Sequence, residues 1–314
     1  MYISEQEVRA VLTYEALIPA IRQALIDYSA GLVEQPARMI LRAGNAEGAN
    51  NGWFAVMPVI AGDLMGVKTV TFYPGNALKQ LHTHMAMIEL LRRSTGEPLA
   101  VMDGRLITEM RTAAVSAAAF AAIAPLHFDG APKSFGILGS GVQAHAHIKA
   151  LRLVWPEIEE IRIWSRTQQN AEELAAKTCA RAVGIEEAAA ADVVLTATSS
   201  PEPVLQGRWL GESALVLAVG ATGSALRELD DEAMRTSFVV AESRSCAERE
   251  SGDLAISGAQ VRAEIGEIFA REGDWLVPRK GRIVFKTVGM AIEDLTAARL
   301  VWQAIAGRAR SAQA

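Results

Sequence analysis

The stretch SFGILGSGVQAHA, Ser134 to Ala146, joins an apolar run to two glycines and then to a helix-forming segment. That order presents backbone N–H groups to a phosphate. Gly139-Ser140-Gly141-Val142-Gln143-Ala144 fits the spacing G-x-G-x-x-G/A. The first glycine permits a tight turn, the second lets the backbone approach a pyrophosphate, and a small third residue lets helix and strand pack closely. The helix start adds unsatisfied N–H groups and a partial positive charge. A bland strand–turn–helix can carry the same letters. Here the loop follows a strand and opens a βαβ unit, so dinucleotide binding through Gly139, Gly141, Val142 and Gln143 is expected.

The end of the next strand meets the adenosine ribose. An acid there accepts from the ribose 2′-hydroxyl of NAD. This chain has IRIWSRTQQN, with Ser165, Arg166 and Thr167 where an acid would stand. A guanidinium and two hydroxyls suit a 2′-phosphate. NADP(H) is the preferred cofactor and NAD(H) is possible. The plain alternative is that Arg166 is a solvated loop residue.

Three cations stand among apolar neighbours: Arg38 in QPARMIL, Lys68 in GVKTV and Arg111 in ITEMRTAAVSA. Any one of them could be a surface charge, but a buried cation needs a partner. Together with a nucleotide loop they suggest a clamp for a carboxylate.

These residues need a scaffold. Before about residue 120 a helical start (Ser4 to about Tyr28) gives way to strand-like runs: ARMILR, GWFAVMPVIAGD, LMGVKTVTFYP and MAMIELLRR. Gly, Pro and Asn punctuate them, as between strands of a sheet. STGEPLAVMDG begins as a turn, and an Ala-rich helix follows from about Leu106. Beyond Lys133, short apolar strands (SFGIL, EIRIW, DVVLTAT, ALVLAV, SFVVAE) alternate with helices, which implies a parallel sheet covered on both faces. RIVFK is a last strand and GMAIEDLTAARLVWQAIAGRA a closing helix. The expected fold is α/β: a central Rossmann-type doubly wound parallel sheet over 119–291, and an N-terminal α+β lobe over 1–118 completed by 292–314.

Bulk properties narrow the partners. The 314 residues allow about two domains. A formal charge of −5 and no cluster of Lys and Arg argue against nucleic acid or an anionic membrane surface. The two cysteines, Cys179 and Cys246, build no disulfide framework and have no metal-ligand spacing. MYISEQEV has no apolar signal core, and the run Ala113 to Leu126 is too short to span a bilayer, so a cytoplasmic protein is expected. His82 and His84 share a strand face but lack a third ligand, so no metal is expected.

QPAR, GVKTVTFYPGN, STGEPLAVMDG, TEMRTAAVSA, GILGSGVQA, VGA–REL from Val219 to Leu229 and FKTVGMAIEDL occur in one order along the chain. In these segments the sequence resembles the ornithine cyclodeaminase/mu-crystallin family, which includes ketimine reductases and alanine dehydrogenases. The resemblance implies a homodimer assembled through the N-terminal lobe. It implies substrate-carboxylate contacts from Arg38, Lys68 and Arg111. Cofactor contacts are implied for Thr112 and the glycine loop, with Thr198, Ser199, Val219 and Gly220 along the nicotinamide half.

The segment AVGATGSALRELD separates the family's chemistries. Similar cyclodeaminases carry an aspartate two residues after the VG pair; here Thr222 stands there, and a hydroxyl is no base near neutral pH. The strand before Met57-Pro58 has Phe54-Ala55-Val56, where cyclodeaminases often have an acid. The expectation is therefore reduction of the C=N bond of a small cyclic ketimine carboxylate, of the pyrroline- or piperideine-2-carboxylate type. Arg38 and Arg111 would grip the carboxylate, Lys68 would orient or protonate, and Thr222 would hydrogen-bond substrate or water. Asp294 could face the nicotinamide or simply pair on the last helix. Ornithine cyclodeamination with bound NAD is the nearest alternative, and a nucleotide-dependent binding protein the other. Glu250 and Asp253 in CAERESGDL receive no chemistry at this level.

Overall fold

In the computed structural model the described residues are 1–44, 52–271 and 277–311, with backbone only at 77 and 309–311. The chain divides into two units, Met1–Arg111 with Met290–Ala314, and Thr112–Gly289.

The first unit begins with β1 (Tyr2–Ile3), α1 (Glu5–Val11) and α2 (Tyr14–Ser29). The expected single N-terminal helix is thus two. Ser4 caps α1 in a reciprocal capping box with Glu7, and Thr13 caps α2 by accepting from the Ala16 N–H, so the helix restarts after Leu12. Next come β2 (Val33–Glu34), β3 (Met39–Arg42), β4 (Trp53–Ala61), β5 (Leu64–Phe72), β6 (His84–Arg92) and β7 (Pro98–Asp103). They form one sheet in the order β1-β7-β6-β5-β4-β2, with β3 also on β4. From β3 to β7 neighbouring strands run antiparallel; β1 joins β7 in parallel.

Alternation along β5 sets the faces. Leu64, Gly66, Lys68 and Val70 point inward, while the residues between them are only half-buried. The inward face packs on the closing helix, which contacts β4, β5, β6 and α2 within this unit. That helix is α11 (Ala291–Ser311), counted after the ten helices that precede it. A Cβ on Gly66 would lie 2.5 Å from the Glu89 carbonyl oxygen and 3.0 Å from Leu295 Cδ1, so this close approach of helix and sheet needs a glycine.

The helix α3 (Arg105–His127) carries residues of both units. Among the described residues it alone is long and apolar enough to cross a membrane, yet 78% of its most apolar window is buried within the protein, as in a core helix.

The second unit is a parallel sheet with helical crossovers. Its elements are β8 (Ser134–Leu138), α4 (Val142–Val154), β9 (Glu160–Trp164), α5 (Gln168–Thr178), β10 (Arg181–Ala182), α6 (Ile185–Ala189), β11 (Val193–Thr196) and β12 (Leu215–Ala218). They continue with α7 (Asp231–Arg235), β13 (Ser237–Ala241), α8 (Arg244–Glu250), α9 (Gly252–Ser257), β14 (Val261–Glu264), α10 (Ile265–Ala270) and β15 (Arg282–Lys286). The order is β10-β9-β8-β11-β12-β15-β13-β14, every pair parallel. The six-strand order 3-2-1-4-5-6 of a doubly wound fold is therefore present, except that the last strand, β15, inserts beside β12. Strands β11 and β12 are buried along their whole length, as a sheet covered on both faces requires. The α/β class expected from the strand–helix alternation is the observed one.

Within this unit His147 ties α4 to α3. It is fully buried, with Nε2 2.9 Å from Ser116 Oγ and Nδ1 2.7 Å from the Gln143 carbonyl. Burial lowers its pKa from 6.5 to about 4, the Gln143 carbonyl acting weakly in the other direction. The folded state thus holds it neutral where the unfolded chain takes up a proton. Its contribution to stability is complete above about pH 6.5 and is lost as pH falls toward 4. A gap of that size is worth about 3 kcal/mol, so the melting temperature should drop across this window. His147→Gln should flatten the drop, which scanning calorimetry at several pH values would measure.

Candidate functional site

Lys68 lies on the inward face of β5, 3% exposed, and Asp294 of α11 meets it at 2.6 Å. Thr108 Oγ1 in α3 accepts from Lys68 Nζ at 3.5 Å and donates to the Gly104 carbonyl. Arg111, one turn further along α3, is also buried. Its Nη1 donates to Glu293 Oε2 at 2.7 Å and its Nε to Asp294 Oδ1 at 3.3 Å. Two consecutive acids of α11 therefore hold two cations from two other elements. Ion pairs this dry hold their charge only where opposite charges sit at short range, as they do here.

The electrostatics follow from that burial. Desolvation pulls Lys68 down from its ordinary value to about 8; Asp294 opposes this, while Arg111 and Arg38 reinforce it. Arg38 is thus within electrostatic reach of Lys68. It precedes β3, at the edge where Met39 pairs with Val56 and, through β4, Met57 pairs with Lys68. All three clamp candidates belong to the first unit. His84, opposite Phe72 at the start of β6, shares this environment: burial, then Lys68 and Arg111, lower its pKa to about 4. The sequence puts His82 and His84 on one strand face and gives His84 no role. The signal for it was present in the strand alternation, because β6 begins at that residue.

In the second unit the glycine loop takes the form its spacing predicts. Gly139 ends β8 with φ 126°, and a Cβ there would lie 2.4 Å from the Ala197 carbonyl oxygen. This turn needs glycine for conformation and for space. Gly141, by contrast, has none of the described residues beyond its chain neighbours within 4 Å of where its Cβ would be. Its missing side chain leaves open space directly in front of the α4 N-terminus, as close approach of a pyrophosphate requires. Val142 is exposed, and the buried Oε1 of Gln143 has no hydrogen-bond partner among the described residues. These residues fit a bound dinucleotide.

Around the loop, Ser140 Oγ donates to Ser165 Oγ at 2.9 Å, joining the turn to the end of β9. Arg166 and Thr167 follow, both exposed at the start of α5. Thr198 and Ser199 stand just past β11, and Val219 and Gly220 just past β12, all at carboxyl ends of strands. Thr112 is buried in the second unit's share of α3. Thr222 is half-buried between Ala221 and Gly223; it belongs to this unit, whereas Lys68 and Arg111 belong to the other. Among the described residues there is no group of three or more His, Cys, Asp or Glu side chains placed to hold a metal.

Known proteins resemble the chain along nearly its whole length. The chain is 38% identical to the ketimine reductase mu-crystallin of Mus musculus over 314 residues, 96% of each chain. The solved structure of the Δ1-pyrroline-2-carboxylate reductase of Thermococcus litoralis, in complex with NADH and L-proline, superposes with a TM-score of 0.88 at 31% identity, covering 98% of both chains. An archaeal alanine dehydrogenase dimer with bound NAD gives a TM-score of 0.89 at 27% identity, over 98% of this chain and 96% of that one. The model of the ornithine cyclodeaminase/mu-crystallin family matches residues 1–309. The chain belongs to the ornithine cyclodeaminase/mu-crystallin family.

Proposed function

We propose that the chain is a nicotinamide-dependent reductase of the C=N bond in a small cyclic ketimine carboxylate, of the pyrroline- or piperideine-2-carboxylate type. The observation that carries this reading is the buried cluster of Lys68 and Arg111 on Asp294 and Glu293, in a chain with Thr222 where cyclodeaminases carry an acid. Reductases of this substrate class are among its relatives. The acids in the cluster are already matched by cations, so no carboxylate there is available to act on a distal amine. This disfavours ornithine cyclodeamination. A cation cluster built for a carboxylate equally disfavours a purely binding role.

Arg38 and Arg111 hold the substrate carboxylate, and Asp294 keeps Lys68 in place while leaving its proton transferable. When bound, the reduced cofactor supplies the hydride that the imine carbon accepts. Lys68 Nζ gives its proton to the substrate nitrogen and is left as a neutral amine beside Asp294; solvent reprotonates it. Gly139, Gly141, Val142, Gln143 and Thr112 hold the dinucleotide, with Thr198, Ser199, Val219 and Gly220 along the nicotinamide half. Thr222 hydrogen-bonds substrate or water. NADP(H) is preferred over NAD(H) because Ser165, Arg166 and Thr167 replace the ribose-binding acid.

A homodimer is part of this reading. The outward face of the first sheet carries Met39 and Leu41 of β3, in register through Val56 and Phe54 with Thr69 and Thr71, and then with Met87 and Met85 of β6. Met39, Leu41, Met85 and Met87 are 61%, 53%, 41% and 49% exposed, an apolar face that a second copy would cover.

Purified chain with NADPH and pyrroline-2-carboxylate should consume NADPH, read as loss of absorbance, and Arg111→Ala should lower kcat/KM by on the order of 100-fold or more, mostly through KM. In the unmodified enzyme kcat/KM should fall tenfold per pH unit above about pH 8, where Lys68 loses its proton. Lys68→Arg should remove that limb; a profile flat to pH 10 would exclude Lys68 as donor. For the cofactor, NADPH should have the lower KM, and Arg166→Ala should erode the preference by roughly tenfold; a native preference for NADH would overturn it. Sedimentation should give twice the chain mass, and Leu41→Asp should halve it.

A further inference from the structure

Glu228, from the REL segment after β12, is fully buried, and its carboxylate gathers five donors from two loops. Oε1 accepts from the N–H and the hydroxyl of Thr198, both at 2.6 Å. Oε2 accepts from Thr196 Oγ1 at 2.9 Å and from the N–H groups of Gly220 and Ala221 at 2.7 and 3.1 Å. One side chain therefore binds the backbone leaving β11 to the backbone leaving β12. Space enforces the same approach: a Cβ on Gly220 would lie 2.2 Å from the Thr198 carbonyl oxygen and 2.6 Å from Glu228 Oε1.

A second layer fixes Glu228. Asp253 Oδ1 accepts from the backbone N–H groups of Glu228 and Leu229, at 2.8 and 3.0 Å. Its Oδ2 lies 2.9 Å from Lys286 Nζ, and both side chains are fully buried. Lys286 in turn donates to the Ala221 carbonyl at 2.9 Å. The peptide units before and after Ala221 are thus held at the N–H by Glu228 and at the carbonyl by Lys286, and Thr222 is the next residue.

We infer that Glu228, braced by Asp253 and Lys286, is a positioning residue for the nicotinamide half of the cofactor. It sets the two strand-end loops that carry Thr198, Ser199, Val219, Gly220 and Thr222, while none of its five donors comes from the glycine loop that takes the pyrophosphate. This rests on the reading of the second unit as the dinucleotide-binding unit. A carboxylate is needed because all five partners donate; an amide would turn its NH2 toward donors. Asp192 is the matched comparison. It accepts from the N–H groups of Lys133 and Ser134 and from the Ser134 hydroxyl, but at the amino ends of β8 and β11.

The test compares binding of intact NADPH with binding of its adenosine half, 2′-phospho-ADP-ribose, by calorimetry on the full chain. Glu228→Gln should weaken NADPH roughly tenfold and leave 2′-phospho-ADP-ribose within about twofold. Thr196→Val removes a single donor to Glu228 with little change of shape; it should show the same selective loss at roughly threefold, and it carries the test if Glu228→Gln does not fold. Asp192→Asn should change neither affinity. Equal losses for both ligands in the Glu228 and Thr196 variants, or none, would overturn the inference and leave Glu228 a structural tie. If the unmodified chain binds neither this pair nor NADH and ADP-ribose, the dinucleotide reading itself fails, and this inference with it.

Discussion

A lysine on the inward face of a strand is tolerable only if an acid reaches it without water, and in the first unit Asp294 does so at 2.6 Å. Much follows from that single pair. The acid is supplied by α11, the last helix of the chain, so the sheet built from residues 33–103 is incomplete as a charged site until the C-terminus has folded onto it. Gly66 is one consequence, since the helix must come close enough for Leu295 to touch the sheet. Arg111 is another. With Glu293 and Asp294 adjacent in sequence, one acid faces mainly the arginine while its neighbour is shared between arginine and lysine. Removing Arg111 would take its cation from the buried Glu293, which costs more than the pair itself contributes.

The second unit solves a similar problem with a different result. Lys286 and Asp253 are fully buried and lie 2.9 Å apart, but their remaining contacts are to backbone atoms rather than to further side chains. Burial raises the pKa of the neighbouring Glu228, and the Lys286 charge and the Thr198 donors work against it. The first cluster sets side-chain charge against side-chain charge, and the second spends its charges on holding backbone in place.

The fold was largely legible because its signals are local. SFGIL, EIRIW and RIVFK are strands within a residue of their apolar limits, and the alternation around Lys68 gave both the strand and the face it points to. What local patterns could not give was partnership across long separations. Nothing in RIVFK says that the last strand inserts beside β12 rather than extending the edge. In the site, the glycine loop was readable because spacing and conformation coincide at Gly139. Arg38, Lys68 and Arg111 stood out as cations among apolar residues, whereas the acid partners of Lys68 and Arg111 in IEDL looked like ordinary helix charges. Asp253 and Glu228 were seen only as parts of motifs, because their partners are mainly backbone groups, which carry no sequence identity. The N-terminal helix was misjudged for a related reason: Thr13 reads as a tolerable helix residue until its cap geometry is known.

Arg111 and Thr112 are consecutive residues of α3, one in each unit, and about 100° of helical rotation separates their side chains. Arg111 ties this first crossing to Glu293 at 2.7 Å. The return crossing is tied down as well. Glu242 accepts from the N–H groups of Val288 and Gly289, and Glu293 accepts from that of Met290, the next residue. Glu293 is also the partner of Arg111, so within the first unit one carboxylate anchors both the outgoing helix and the incoming strand-to-helix turn. Precision in the cation cluster is therefore bound to the two points at which the chain leaves and re-enters that unit. A cation cluster supported this way gains its order from covalent continuity as well as from side-chain packing.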